Sequence, residues 1–126
     1  MDKQRKKQLA ADYAQAFRPV GVYQIRNVNN GKVLVCASVD LAGARNRFDF
    51  YKQMNMNAIP ELRHDWQRHG ADSFVFEELD RLKPPEDAGG GPNDKERREE
   101  AEALLALWLE KLQPYGDNGY NKRERS

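Results

Sequence analysis

Residues 21–38 read Gly-Val-Tyr-Gln-Ile-Arg-Asn-Val-Asn-Asn-Gly-Lys-Val-Leu-Val-Cys-Ala-Ser, and this stretch decides the fold. Two runs rich in β-branched and aromatic residues, 20–28 and 33–38, predict two strands. The Asn30-Gly31 pair between them favours a two-residue type I′ turn, because that turn needs positive φ at both central positions. The sequence therefore predicts an antiparallel β-hairpin.

The remaining elements follow from hydrophobic periodicity and from the helix-start and helix-stop residues. Helices are predicted over residues 2–17, 40–54, 60–68 and 93–112, and a third strand over residues 73–79. The turn-rich segment 113–121 is expected to fold back onto the body of the domain. We expect an α/β (α+β) domain over residues 19–122, with an N-terminal helical extension (1–18) and a flexible Pro- and Gly-rich linker (83–93).

Composition sets limits on the class of protein. The length of 126 residues is typical of one globular domain. The net charge of +1 is lower than expected for a dedicated non-specific DNA binder. Cys36 is the only cysteine, so an internal disulfide is excluded and a reducing compartment is expected. No run of about 18 apolar residues is present, which argues against a membrane span. A cytoplasmic protein is the expectation.

The hairpin and several later segments resemble the GIY-YIG nuclease family. Gly21-Val22-Tyr23 matches the first motif, whereas Leu34-Val35-Cys36 stands where the second motif should read Tyr-Ile-Gly. Further matches occur in the right order along residues 20–121: Arg47-Phe48, His69-Gly70, Trp108-Leu109-Glu110 and Gly119-Tyr120-Asn121. The resemblance implies a three-stranded antiparallel sheet flanked by helices, to which this chain adds its N-terminal helix.

The resemblance also implies a site for phosphodiester hydrolysis. In the family, two motif tyrosines share a pocket, a helix arginine holds the phosphate, a glutamate on the last helix binds a divalent cation, and a C-terminal asparagine supports the site. The matched residues are Tyr23, Arg47 (with Arg45 as the alternative) and Asn121. The second tyrosine falls on Leu34 and the glutamate on Leu105, so two parts of the machinery are replaced by leucine.

Each of these residues also has a structural interpretation. Tyr23 is typical of a side chain that packs on one face of a small sheet, and Cys36 is typical of a small buried thiol. Leu105 belongs to an apolar helical stripe, and Glu102 lies one turn earlier, where it would reach the site only if the helix were shifted. His64 and His69 are five residues apart on different helix faces, which disfavours a metal site.

Three functions are compatible with these residues. The favoured one is a catalytically degenerate, nuclease-like protein with a DNA phosphate-binding cleft and no cofactor, in which Arg45, Lys32 and Lys122 also contact the nucleic acid. The second is an active endonuclease that uses Mg²⁺ or Mn²⁺ held by Glu102. The third is a protein-interaction module that docks a partner through the N-terminal helix. The sequence leaves the oligomeric state open.

Overall fold

A computed structural model describes residues 18–82 and 94–122 of the chain. Its strands are β1 (Gly21–Asn27), β2 (Val33–Ser38) and β3 (Phe74–Arg81), and its helices are α1 (Leu41–Gln53), α2 (Arg63–His69) and α3 (Asp94–Leu112). The predicted N-terminal helix and linker lie outside the described residues. No described helix combines the length and hydrophobicity that a membrane crossing requires.

The hairpin between β1 and β2 is present, but its turn differs from the predicted one. The Asn27 carbonyl accepts a hydrogen bond from the Gly31 amide at 2.8 Å, and the Asn27 amide donates to the Lys32 carbonyl at 2.9 Å. These bonds close a four-residue loop over residues 28–31, in which Gly31 alone has positive φ, at 76°. The predicted two-residue type I′ turn is therefore wrong, because only the glycine takes up left-handed backbone.

The three strands form one antiparallel sheet, as predicted, and their order is β2-β1-β3. By strand alternation, one face carries Tyr23, Ile25 and their β2 partners, and α1 and α2 cover this face. Its buried core consists of Ile25, Leu34, Phe48, Leu62, Trp66 and Phe74. The opposite face carries the buried Val22 and Val35, and α3 packs against β1 and β2. The sheet is thus enclosed between two helical layers.

The helix ends follow from local chemistry. Asp40 caps α1, because its Oδ1 accepts a hydrogen bond from the Gly43 amide at 2.9 Å. Pro60 opens a short 3₁₀ turn that leads into α2, and Gly70 ends α2 with φ of 87°. Both boundaries agree with the prediction from sequence.

The segment after α3 folds back onto the outer edge of β2, as predicted. Gly119 forms a parallel bridge with Val33, and the Tyr120 amide donates to the Val33 carbonyl at 2.8 Å. Asn121 extends this contact, because its side chain both accepts from the Val35 amide and donates to the Val35 carbonyl, each at 2.8 Å. One edge of the sheet is therefore closed by residues distant in sequence.

Candidate functional site

Tyr23 lines a cavity of about 200 Å³ between the sheet and α1. Its ring stacks on Phe76 of the neighbouring strand, with centroids 4.6 Å apart. Directly opposite in the hairpin is Cys36, whose thiol interacts with the Tyr23 hydroxyl. Leu34 pairs with Ile25, and both side chains line the same cavity. The second-motif position therefore contributes an apolar wall beside the phenol.

The two polar groups of this pair are held in their neutral forms. Burial of the hydroxyl raises the pKa of Tyr23 well above its usual value, and the adjacent thiol raises it further. Burial likewise raises the pKa of the Cys36 thiol to about 11, with Glu61 acting in the same direction. Tyr23 can thus donate a hydrogen bond at neutral pH, but it cannot take up a proton.

The remaining polar groups of the cavity come from α1 and from the segment that precedes α2. Arg47 and Tyr51 lie one turn apart on α1, and Glu61 follows Pro60 in the 3₁₀ turn. The Arg47 guanidinium is near enough to Tyr23 to oppose part of the rise in its pKa. A cation, a carboxylate and two phenols therefore surround an otherwise apolar space.

Arg47 also lines a second, adjoining cavity of about 330 Å³ at the end of β2. Its other walls are residues 37–40, which end β2 and lead into α1, and the α3 residues Arg98, Ala101 and Glu102. Arg98 and Glu102 are four residues apart and so share one face of α3. Among the described residues, neither Arg47 nor Arg98 has a carboxylate within ion-pair distance. This cavity therefore holds two guanidinium groups that form no ion pair with another described residue.

The last helix places its two candidate residues away from Tyr23. Leu105 and Glu102 line a groove of about 810 Å³ together with Asn121 and Lys122. Neither Leu105 nor Glu102 lines the Tyr23 cavity, although Glu102 shares the adjoining one with Arg47. Leu34 and Leu105 therefore lie in separate depressions, each of which shares one lining residue, Arg47 or Glu102, with the cavity at the end of β2.

The other predicted site residues are dispersed. Asn121 is engaged with the backbone of Val35, which gives it a supporting position at the edge of β2. The Arg45 guanidinium lies 4.7 Å from the centre of the Phe76 ring, the same ring on which Tyr23 stacks. Lys32 lies at the hairpin end of the sheet, with its ammonium 4.9 Å from the centre of the Tyr120 ring. The structure does not bring Lys32 into the Tyr23 cavity.

No group of three or more His, Cys, Asp or Glu side chains converges in a metal-binding arrangement within residues 18–82 and 94–122. His64 and His69 are exposed on α2 and accompany no such group.

Sequence reasoning missed four participants: the pairing of Cys36 with Tyr23, and the contributions of Tyr51, Glu61 and Arg98. Two of them had a detectable signal. Tyr51 is four residues after Arg47, and Arg98 is four residues before Glu102, so helical periodicity alone places each beside a residue already considered. Glu61 carried no comparable signal, because it comes from a different segment.

Comparison with solved structures identifies the fold. A mutant form of the catalytic domain of intron endonuclease I-TevI is similar with a TM-score of 0.58 at 22% identity, over 86% of this chain and 97% of that one. The catalytic domain of homing endonuclease I-TevI is similar with a TM-score of 0.57 at 23% identity, over 83% and 99%. No family model and no curated protein matches the sequence. The chain has the three-stranded α+β fold of the GIY-YIG catalytic domain of I-TevI.

Proposed function

We propose that this protein is a GIY-YIG nuclease-like protein that binds the phosphate groups of DNA in its cleft and hydrolyses them poorly or not at all. The observation that carries this proposal is the buried Leu34, which forms the wall of the Tyr23 cavity at the second-motif position. A leucine offers neither a proton nor a lone pair, so it cannot activate water or polarise a phosphate.

The protonation of Tyr23 supports the same conclusion. A general base must accept a proton at the working pH, and burial holds this phenol in its protonated form. The adjacent Cys36 thiol raises the pKa of this phenol further. Tyr23 is therefore suited to donate a hydrogen bond to a bound anion if the hydroxyl turns away from Cys36.

The residues around Tyr23 fit a divalent cation poorly. Mg²⁺ prefers an octahedral shell of oxygen atoms, whereas this cavity combines one carboxylate, Glu61, with a thiol and a guanidinium. The position expected to supply the carboxylate holds Leu105, and Glu102 stands in the neighbouring cavity beside two arginines. We infer that hydrolysis fails because base and cation are both compromised, and residues that act as a unit fail together.

Arg47 is the main phosphate ligand in this proposal. Its exposed side chain lines both cavities, and among the described residues no carboxylate lies within ion-pair distance of it. A guanidinium offers a rigid fork of N–H donors that matches two phosphate oxygens. Charge-assisted hydrogen bonds of this kind contribute about 1.5–3 kcal/mol, so the loss of Arg47 should weaken DNA binding by about tenfold or more.

The binding test is fluorescence anisotropy of labelled DNA at several salt concentrations. Arg47→Gln should lower the affinity and reduce the salt slope by about one unit, as expected when one phosphate contact is lost. Arg68→Gln is the matched control, because Arg68 is equally exposed but lies on α2 outside the cavities. Equal affinities of wild type and Arg47→Gln, or no DNA binding at all, would refute the proposal.

The hydrolysis test is plasmid nicking in Mg²⁺ or Mn²⁺. The wild type should leave the plasmid intact in either metal, because Leu34 removes the second phenol and Leu105 supplies no carboxylate. Metal-dependent nicking by the wild type, abolished by Glu102→Ala, would instead establish an active endonuclease and reject the degenerate one.

A further inference from the structure

The Tyr23 cavity has the wrong surface for a phosphate alone. Most of its wall is aromatic or aliphatic, and the charged groups are confined to Arg47 and Glu61. The apolar wall is formed chiefly by Tyr23, Ile25, Leu34, Phe48, Tyr51 and Ile59. A phosphate placed there would lose most of its hydration without gaining enough donors, which is costly for an anion.

The size of the cavity suits a flat ring. Its volume is about 200 Å³, and an apolar cavity of about 150 Å³ is already large enough to bind benzene. A single-ring base therefore fits, and the polar groups suit its edge. Tyr23 can donate to a ring carbonyl, and the Glu61 carboxylate can accept from a base N–H.

The adjoining cavity supplies the complementary half of a nucleotide. Arg47 belongs to both cavities, and Arg98 approaches the second one from α3. Two carboxylates also line this space: that of Asp40 caps the Gly43 amide, and that of Glu102 lies on α3, with no ion pair to either arginine among the described residues. Two guanidinium groups without described ion-pair partners thus lie next to an apolar pocket of base size.

We propose that the two cavities together bind one unpaired nucleotide, with its base in the Tyr23 cavity and its phosphate between Arg47 and Arg98. This inference rests on the proposed function and adds the substrate class: single-stranded or locally unpaired DNA, with a pyrimidine the best fit by size. Bases of an intact duplex are stacked and cannot enter such a pocket, whereas a single strand offers a free base for every phosphate.

The test compares three labelled probes by anisotropy: a short oligo(dT) strand, an abasic strand with the same number of phosphates, and a duplex of the same length. The wild type should bind oligo(dT) about tenfold more tightly than the abasic strand, as base–aromatic contacts allow. It should also prefer oligo(dT) to the duplex.

Two variants locate the base. Ala44 is a buried cavity residue on α1, and Ala44→Leu fills the space without changing charge. This variant should bind oligo(dT) no better than the abasic strand. Ile59→Phe narrows the same cavity at a half-buried position and guards against misfolding of the first variant. Ala42→Leu, on the exposed side of α1, is the control and should behave like the wild type.

Arg98→Gln locates the phosphate and should weaken binding to both strands, while Lys95→Gln, exposed on the same helix, should weaken neither. Equal wild-type affinity for oligo(dT) and the abasic strand would overturn this inference and leave phosphate binding intact. An oligo(dT) preference that survives in folded Ala44→Leu and Ile59→Phe would also overturn it. A wild type that binds none of the three probes would overturn the proposed function as well.

Discussion

Replacing Asn121 by alanine should destabilise the fold through the edge of β2. The asparagine side chain makes two hydrogen bonds to the backbone of Val35, both 2.8 Å long. At about 1 kcal/mol for each bond, the free energy of unfolding should fall by about 2 kcal/mol. With a urea m-value of about 2 kcal/mol/M, the unfolding midpoint should move down by about 1 M.

The assay is equilibrium urea unfolding, combined with hydrogen exchange at the Val35 amide. Exchange should accelerate in Asn121→Ala, because the amide loses its acceptor while β2 keeps its pairing with β1. Asn118→Ala, at an exposed position in the same tail, is the control and should change neither measurement. If the midpoint of Asn121→Ala stayed within about 0.2 M of wild type, the argument that this asparagine acts by clamping β2 would be refuted.

Two further predictions concern the same region. Gly119→Ala should cost more than about 2 kcal/mol of unfolding free energy, because the added carbon would lie 2.4 Å from the Pro114 carbonyl oxygen and 2.5 Å from that of Val33. Gly31→Ala should cost less unfolding free energy, because the added carbon has no atom within 4 Å and only the left-handed φ opposes it. Urea unfolding that ranks the two variants in the reverse order would contradict this prediction. The Tyr120 hydroxyl lowers the pKa of Asp65 through a 2.5 Å hydrogen bond, so this stabilisation is present above the unfolded-state pKa and is lost as pH falls through the folded one. Asp65→Asn should therefore lose less unfolding free energy than wild type on acidification from about pH 5 to pH 2, and parallel losses would rule the linkage out.

The hairpin shows how far local sequence reasoning extends. A two-residue turn at Asn30-Gly31 would have placed Tyr23 opposite Ser38, whereas the four-residue loop places it opposite Cys36. The two registers differ by two residues, and a shift by two keeps every side chain on its own face of the sheet. The strands, the core face and the fold class were therefore predictable, but the cross-strand partner of Tyr23 was not.

The cavities were less predictable because they join segments that are remote in sequence. Periodicity along α1 indicates that Arg47 and Tyr51 share a face, but nothing in it indicates that Glu61 closes the same space. Likewise, the spacing of Arg98 and Glu102 is visible in the sequence, while their approach to Arg47 depends on how α3 crosses the sheet. Local rules identify a face of an element, and only tertiary packing decides what that face meets.

The closure of β2 by Gly119 and Asn121 also bears on the order in which the molecule assembles. The hairpin can form as soon as residues 21–38 have left the ribosome. The outer edge of β2, however, pairs with Gly119 only after some eighty more residues have been made. Until then the outer edge of β2 exposes unpaired amides and carbonyls. An exposed strand edge of this kind can pair with a strand of another chain. Residues made much later than the hairpin thus protect an edge that forms early.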